Sequence, residues 1–190
     1  MSTEAPESLP ADVQSAILSI RAASLRDELQ VEEIEAPTGI ADHAIAFSCL
    51  VKSKTSEVSG SLGTGRFVMF WSSTPQENWT TNFRIVCFAR SPLETNIGAD
   101  DESTDITWDW LTDALALAGA EQSAIAGTTT RIVSSGHGMM SAEADHAEIE
   151  LRASWSPHGT DIGRHFVAWQ NVVSVMSGFP LTPGVGEVHR

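Results

Sequence analysis

The C-terminal third holds the spacings that most resemble chemistry. Asp161 and His165 stand four apart, which on one helix turns both side chains toward a common point and could hold a metal. His165 also falls between Ile162, Phe166 and Trp169 on an apolar helical stripe, and no His-Glu-x-x-His or Cys-x-x-Cys cluster accompanies it. A core histidine is the expectation. Ser135-Gly136-His137-Gly138 sets a serine beside a histidine, but adjacency in sequence is not nucleophile–base geometry, and no Gly-x-Ser-x-Gly elbow is present. Its glycines read as a turn between strands. Gly60-Ser61-Leu62-Gly63-Thr64-Gly65 offers successive amides of the kind that cradle an anion. It lacks the Lys-Ser or Lys-Thr of a phosphate loop and leads into a strand where that motif leads into a helix, so a hairpin loop is expected. Cys49 and Cys87 occupy inward positions of alternating segments, the place of small buried hydrophobes rather than reactive thiolates. On next-nearest strands they would lie about 9 to 10 Å apart, too far for a disulfide. No catalytic residue, metal set or cofactor site is assigned.

The residues that could instead meet a partner are Trp108, Asp109, Arg131 and Arg152. On a helix, Trp110 points into the apolar stripe while Trp108 lies at its margin and Asp109 on the far side. A margin tryptophan beside a carboxylate is a common interface element. The structural reading of the same residues is that Trp108 caps a sheet edge and Arg152 snorkels or pairs with Asp109 or Glu150. Arg84, Arg131 and Arg152, all in alternating segments, could also line one groove.

The elements that must position these residues follow from periodicity. Val13, Ile17, Ile20 and, less regularly, Leu25 and Leu29 recur at helical spacing after Pro10, predicting a first helix of roughly 18 residues. The period then becomes two. Ile45, Phe47, Cys49 and Val51 share one face of a strand over 43–52, followed by the Ser, Thr and Gly-rich stretch 53–65 and strands over 66–72 and 82–90. A polar connection over 91–105 leads to a helix with Asp105 as N-cap and Gly119 beyond its end. Strands over 123–134 and 147–155 come next, and a last helix starts from Thr160 as N-cap and stops at Gly178 and Pro180. The expected fold is α+β: a two-layer, mainly antiparallel five-stranded sheet with helices on one face, in the order α-β-β-β-α-β-β-α. It resembles the arrangement of secretion chaperones. Residues 1–9 and 183–190 read as tails on a single domain over 10–182.

Charge narrows the classes. The chain of 190 residues carries 25 Asp and Glu against 11 Lys and Arg, a net −14 with only Lys52 and Lys54 as lysines. Such a field opposes the phosphate neutralisation that supplies nucleic-acid affinity, so strong nucleic-acid binding is not expected. The longest apolar runs, such as Phe67 to Trp71, are far short of a membrane span. No basic residue precedes Arg21 and no apolar leader is present. A cytoplasmic protein with reduced cysteines is expected.

Ile106-Thr107-Trp108-Asp109-Trp110-Leu111, Gly127-Thr128-Thr129-Thr130-Arg131 and Leu151-Arg152-Ala153-Ser154-Trp155-Ser156-Pro157, in this order, resemble an actinobacterial family numbered three thousand among the domains of unknown function. The likeness extends from Glu32-Glu33-Ile34-Glu35-Ala36-Pro37 to Gly178-Phe179-Pro180. It implies a cytoplasmic protein often encoded near a ribonuclease-D-like protein, and brings no activity, cofactor or catalytic residue. From the residues, the leading expectation is a non-catalytic protein-binding or chaperone-like module, with a protein partner and a homodimer through an edge strand such as the last one. The alternative is an enzyme or RNA-processing accessory with an arginine-lined groove.

Overall fold

The computed structural model describes residues 9–52, 62–93, 102–142 and 145–182. Helix α1 (Ala11–Ala22) is followed by strands β1 (Leu29–Ile34), β2 (His43–Val51), β3 (Thr64–Trp71) and β4 (Phe83–Leu93). Helix α2 (Glu102–Leu117), strands β5 (Gln122–Ser134) and β6 (His146–Pro157) and helix α3 (Ile162–Met176) complete the order. All pairings are antiparallel, and the strands lie in the order β1-β2-β3-β4-β6-β5.

The sheet therefore has six strands where five were expected. The sixth is β1, which the helical spacing of Leu25 and Leu29 assigned to the end of the first helix. Helix α1 stops at Ala22, and Leu25 is exposed. What ends it is α3: Gln170, fully buried, accepts from the Arg26 backbone N–H at 3.0 Å and donates to the Ser24 carbonyl at 3.0 Å. Arg26 then reaches Glu28, the Asn171 side chain, the Pro180 carbonyl and the Thr182 hydroxyl. With the chain turned there, Leu29 and Val31 face inward and pair with Val51 and Cys49. Backbone pairing to β2 outweighs a weak local helical period.

The other elements fall close to expectation. Ile45, Phe47, Cys49 and Val51 are all buried on one face, as alternation requires. The same face gathers Phe67, Met69, Ile85, Cys87, Leu151, Ala153 and Trp155 under the helices. Helix α3 lies at the centre of that layer, flanked by α1 and α2. Phe166 and Trp169 pack against Phe67, with ring centroids 5.3 and 5.7 Å away. Helix α2 begins at Glu102, a turn before the Asp105 cap expected for it, and Gly119 takes the left-handed φ of +62° beyond its end. The cap of α3 is Asp161 rather than Thr160, and its side chain caps nothing. The free Gly163 N–H instead donates to Ser19 Oγ of α1 at 2.9 Å. On the other face the described residues form a small buried apolar group centred on Ala46, Val68 and Phe70, with Trp79 and Ala36 over it. The tails beyond Leu9 and Thr182, residues 53–61 of the expected hairpin loop and most of the 91–105 connection lie outside the described residues.

The last strand, β6, lies between β4 and β5 and is no edge; the edges are β1 and β5.

Candidate partner-binding site

The sheet register decides which side chains share a surface. Directly paired residues in an antiparallel sheet point to the same face. Arg131 pairs with Ile149, a buried residue of the helix-covered face, whereas Arg152 pairs with Phe88 and Thr128 on the open face. The two arginines lie on opposite sides of the sheet, and the groove of Arg84, Arg131 and Arg152 weighed from the sequence is not formed. Arg84 shares the open face, but its guanidinium donates to Ser154 Oγ at 2.7 Å and to the Ala124 carbonyl at 3.1 Å. Partial burial lowers its pKa below the usual arginine value. It serves the irregularity between Ser123 and Ala126, where Ala124 takes a φ of +51°.

The open face nonetheless carries an ordered row. Reading across the register, Glu32, Ser48, Arg66, Phe88, Arg152 and Thr128 stand side by side on β1, β2, β3, β4, β6 and β5. A groove of about 650 Å³ runs over the first five of these, floored by Val86, Phe88 and Leu50. Val86 and Leu50 are 39% and 48% exposed, apolar side chains left in water between arginines. The Arg152 guanidinium carbon lies 5.8 Å from the centre of the Phe88 ring while an Nη holds Glu150 at 2.8 Å. Arg90 pairs with Glu148 in the neighbouring row. Arg66 is exposed and no carboxylate of the described residues pairs with it. Such a surface can hold an anionic, partly apolar group.

Phe88 was missed as a site residue, and Arg66, one of five arginines in or beside the expected strands that could form a basic cleft, was not singled out, because nothing local marks either. The available signal was the outward set Arg84, Val86, Phe88 and Arg90, in which two apolar residues occupy wet positions.

Trp108 and Asp109 lie elsewhere, at the β5 edge on the helix side, and Arg131 stands on that same side of β5, four residues beyond Gly127, outside the hollow they border. Trp108 is half-buried and lies across β5: a Cβ on Gly127 would stand 2.8 Å from its ring, so glycine is needed there. Trp110 is half-buried too. The inward residues of α2 are Thr107, Leu111, Ala114 and Leu115. Asp105, Trp108, Asp109 and Thr129 border an open hollow of about 530 Å³ beside Gly127.

The remaining chemical candidates resolve into packing. Trp155 Nε1–H donates to His165 Nδ1 at 3.0 Å inside the core, and burial pushes that imidazole down to about 4. Asp161 turns away to Arg164, 2.7 Å distant, so the pair does not converge on an ion. A Cβ on Gly65 would meet Val173 at 2.6 Å and Cys49 Sγ at 2.9 Å, and one on Gly63 would meet Ser177 Oγ at 2.3 Å. These glycines admit close packing of α3 and its end rather than an anion. Cys49 and Cys87 are free thiols on β2 and β4, with β3 between them, and burial pushes both up to about 12. Ser135 to His137 form the connection after β5, closed by a single 3-10 turn at Gly138–Met140.

No helix among the described residues is long and apolar enough to cross a membrane. No curated protein and no solved structure matches the chain. The model of one family, described as protein of unknown function, DUF3000, matches residues 9–186, a span that takes in every element described and both candidate surfaces, and the chain belongs to that family.

Proposed function

We propose that the protein is a non-catalytic, chaperone-like binding module of the cytoplasm that holds an acidic, amphipathic segment of a partner protein on its open sheet face. The observation that supports this most is the row Arg66, Phe88, Arg152 above an apolar floor, in a chain whose net charge is otherwise −14. Arginine and aromatic side chains carry much of the energy of protein interfaces. Val86 and Leu50 give the apolar face of such a segment a place to lie, and among the described residues no carboxylate is held by Arg66 as Glu148 and Glu150 are by Arg90 and Arg152. Glu32, Glu148 and Glu150 on the same face, with the overall charge, oppose a phosphate backbone, with its charge at every nucleotide, more strongly than a segment whose few carboxylates can be set against Arg66 and Arg152.

The test is fluorescence anisotropy with a labelled acidic amphipathic peptide and, in parallel, single-stranded RNA. Peptide binding weakened about tenfold or more by Arg66→Glu or Arg152→Glu, each variant folded by circular dichroism, supports the proposal. Submicromolar, salt-dependent RNA binding lost on the same substitutions, with no peptide binding, replaces it by the RNA-accessory reading. Copurification from the native cytoplasm then identifies the partner.

A further inference from the structure

The two edges of the sheet are unequally protected. Strand β1 carries Glu32 and Glu33 in six residues and is followed by Glu35, charges that discourage pairing with another strand. Strand β5 runs for thirteen residues with Arg131 as its one charge. It is rich in β-branched side chains, and Val133 is 61% exposed. Such an edge is a template for a further strand.

We infer that two copies of the chain pair antiparallel through β5, about a twofold axis at Thr129. This register sets Arg131 of each copy opposite Gly127 of the other, on the helix side of the sheet. Gly127 is where the Trp108 ring lies against the strand, in the hollow bordered by Asp105 and Asp109. The guanidinium from the second copy thus meets an aromatic face between two carboxylates, an arrangement that favours a planar cation through ion pairing and cation–π attraction. Val133 falls opposite Ile125 of the second copy, itself packed against the main core, so the exposed valine is covered. On the open face Thr128 and Thr130 oppose one another across the axis. Every contact occurs twice, as an isologous interface requires. The pairing joins the two six-stranded sheets and completes the Trp108 hollow with a residue neither copy places there for itself. It is independent of what the open face binds.

Sedimentation velocity on the full chain, over a concentration series up to about 0.2 mM, reads the association. The expected result is a dimer whose dissociation constant rises about tenfold or more with Arg131→Glu. The exchange Arg131→Asp with Asp109→Arg should recover it. Thr129→Cys should link to its own copy under mild oxidation, because directly opposed residues in an antiparallel pair have Cα atoms about 4.5 to 5.5 Å apart. Thr128→Cys, offset from its own copy, should not link. Cys49 and Cys87 are buried and do not compete. Thr129→Cys leaves both charges in place, so it reads the pairing even if Arg131→Glu disturbs the fold. A monomer at every concentration overturns the inference. So does a dimer that Arg131→Glu leaves unchanged and Thr129→Cys fails to link.

Discussion

His165 shows how one side chain in the core links packing to pH. It is 1% exposed, accepts a hydrogen bond from Trp155, and burial holds its imidazole neutral down to about 4. In the unfolded chain the same group titrates near its ordinary value of about 6.5. Between these two values the unfolded state binds a proton that the folded state refuses, so stability is fully present above about pH 6.5 and is lost as pH falls toward 4. At about 1.4 kcal/mol for each unit, this group alone should remove about 3 kcal/mol across that window. Urea unfolding at several pH values checks this, with His165→Asn expected to flatten the slope. A slope that survives the substitution would place the acid sensitivity elsewhere. His165 was legible as a core residue from Ile162, Phe166 and Trp169 around it. Its bond to Trp155 was not, because the two lie on different elements.

Among the elements, α1 and α3 cross more closely than their periodicity suggests. A Cβ on Gly163 would stand 2.4 Å from the Ser19 carbonyl oxygen, a backbone atom that can yield only if the helix moves. Gly163→Ala is therefore expected to cost about 2 to 3 kcal/mol, as overpacking at rigid contacts does. Ser19→Ala, which removes the acceptor of the Gly163 N–H, should cost about 1 kcal/mol. Urea midpoints at unchanged m-value measure both. An unaffected Gly163→Ala would mean that the helices do not press together here. The apolar stripe of α3 was readable from sequence, but its cap was not. Thr160 and Asp161 both suit that role by type, and the bond that fills it comes from a residue more than a hundred positions away.

For the whole molecule, a net −14 with 11 basic residues means that the folded state gathers like charge into a small volume. Of the ion pairs that offset it, Arg21 with Glu33 and Arg164 with Asp161 are largely exposed and contribute little, whereas Arg26 with Glu28 is largely buried. Raising sodium chloride from about 20 mM to about 0.5 M should screen the repulsion and raise the melting temperature by a few degrees. A melting temperature that falls with salt would show that ion pairing outweighs repulsion. The same screening leaves the apolar floor of the open face intact, so a peptide held there should lose only the arginine part of its affinity.

The sequence by itself determined the α+β class, the inward faces of the strands and the deep burial of Trp155, Trp169 and both cysteines, because period and residue type are local properties written along the chain. It also placed Trp108 at the margin of its helix. The tertiary structure decided that residues 29–34 pair as a strand, that β6 lies inside the sheet, and that Arg131 and Arg152 fall on opposite faces. Each of these depends on which strand lies beside which and in what register. Those choices are made by hydrogen bonds and packing between segments far apart in sequence, and a shift of one residue would turn every side chain to the other face.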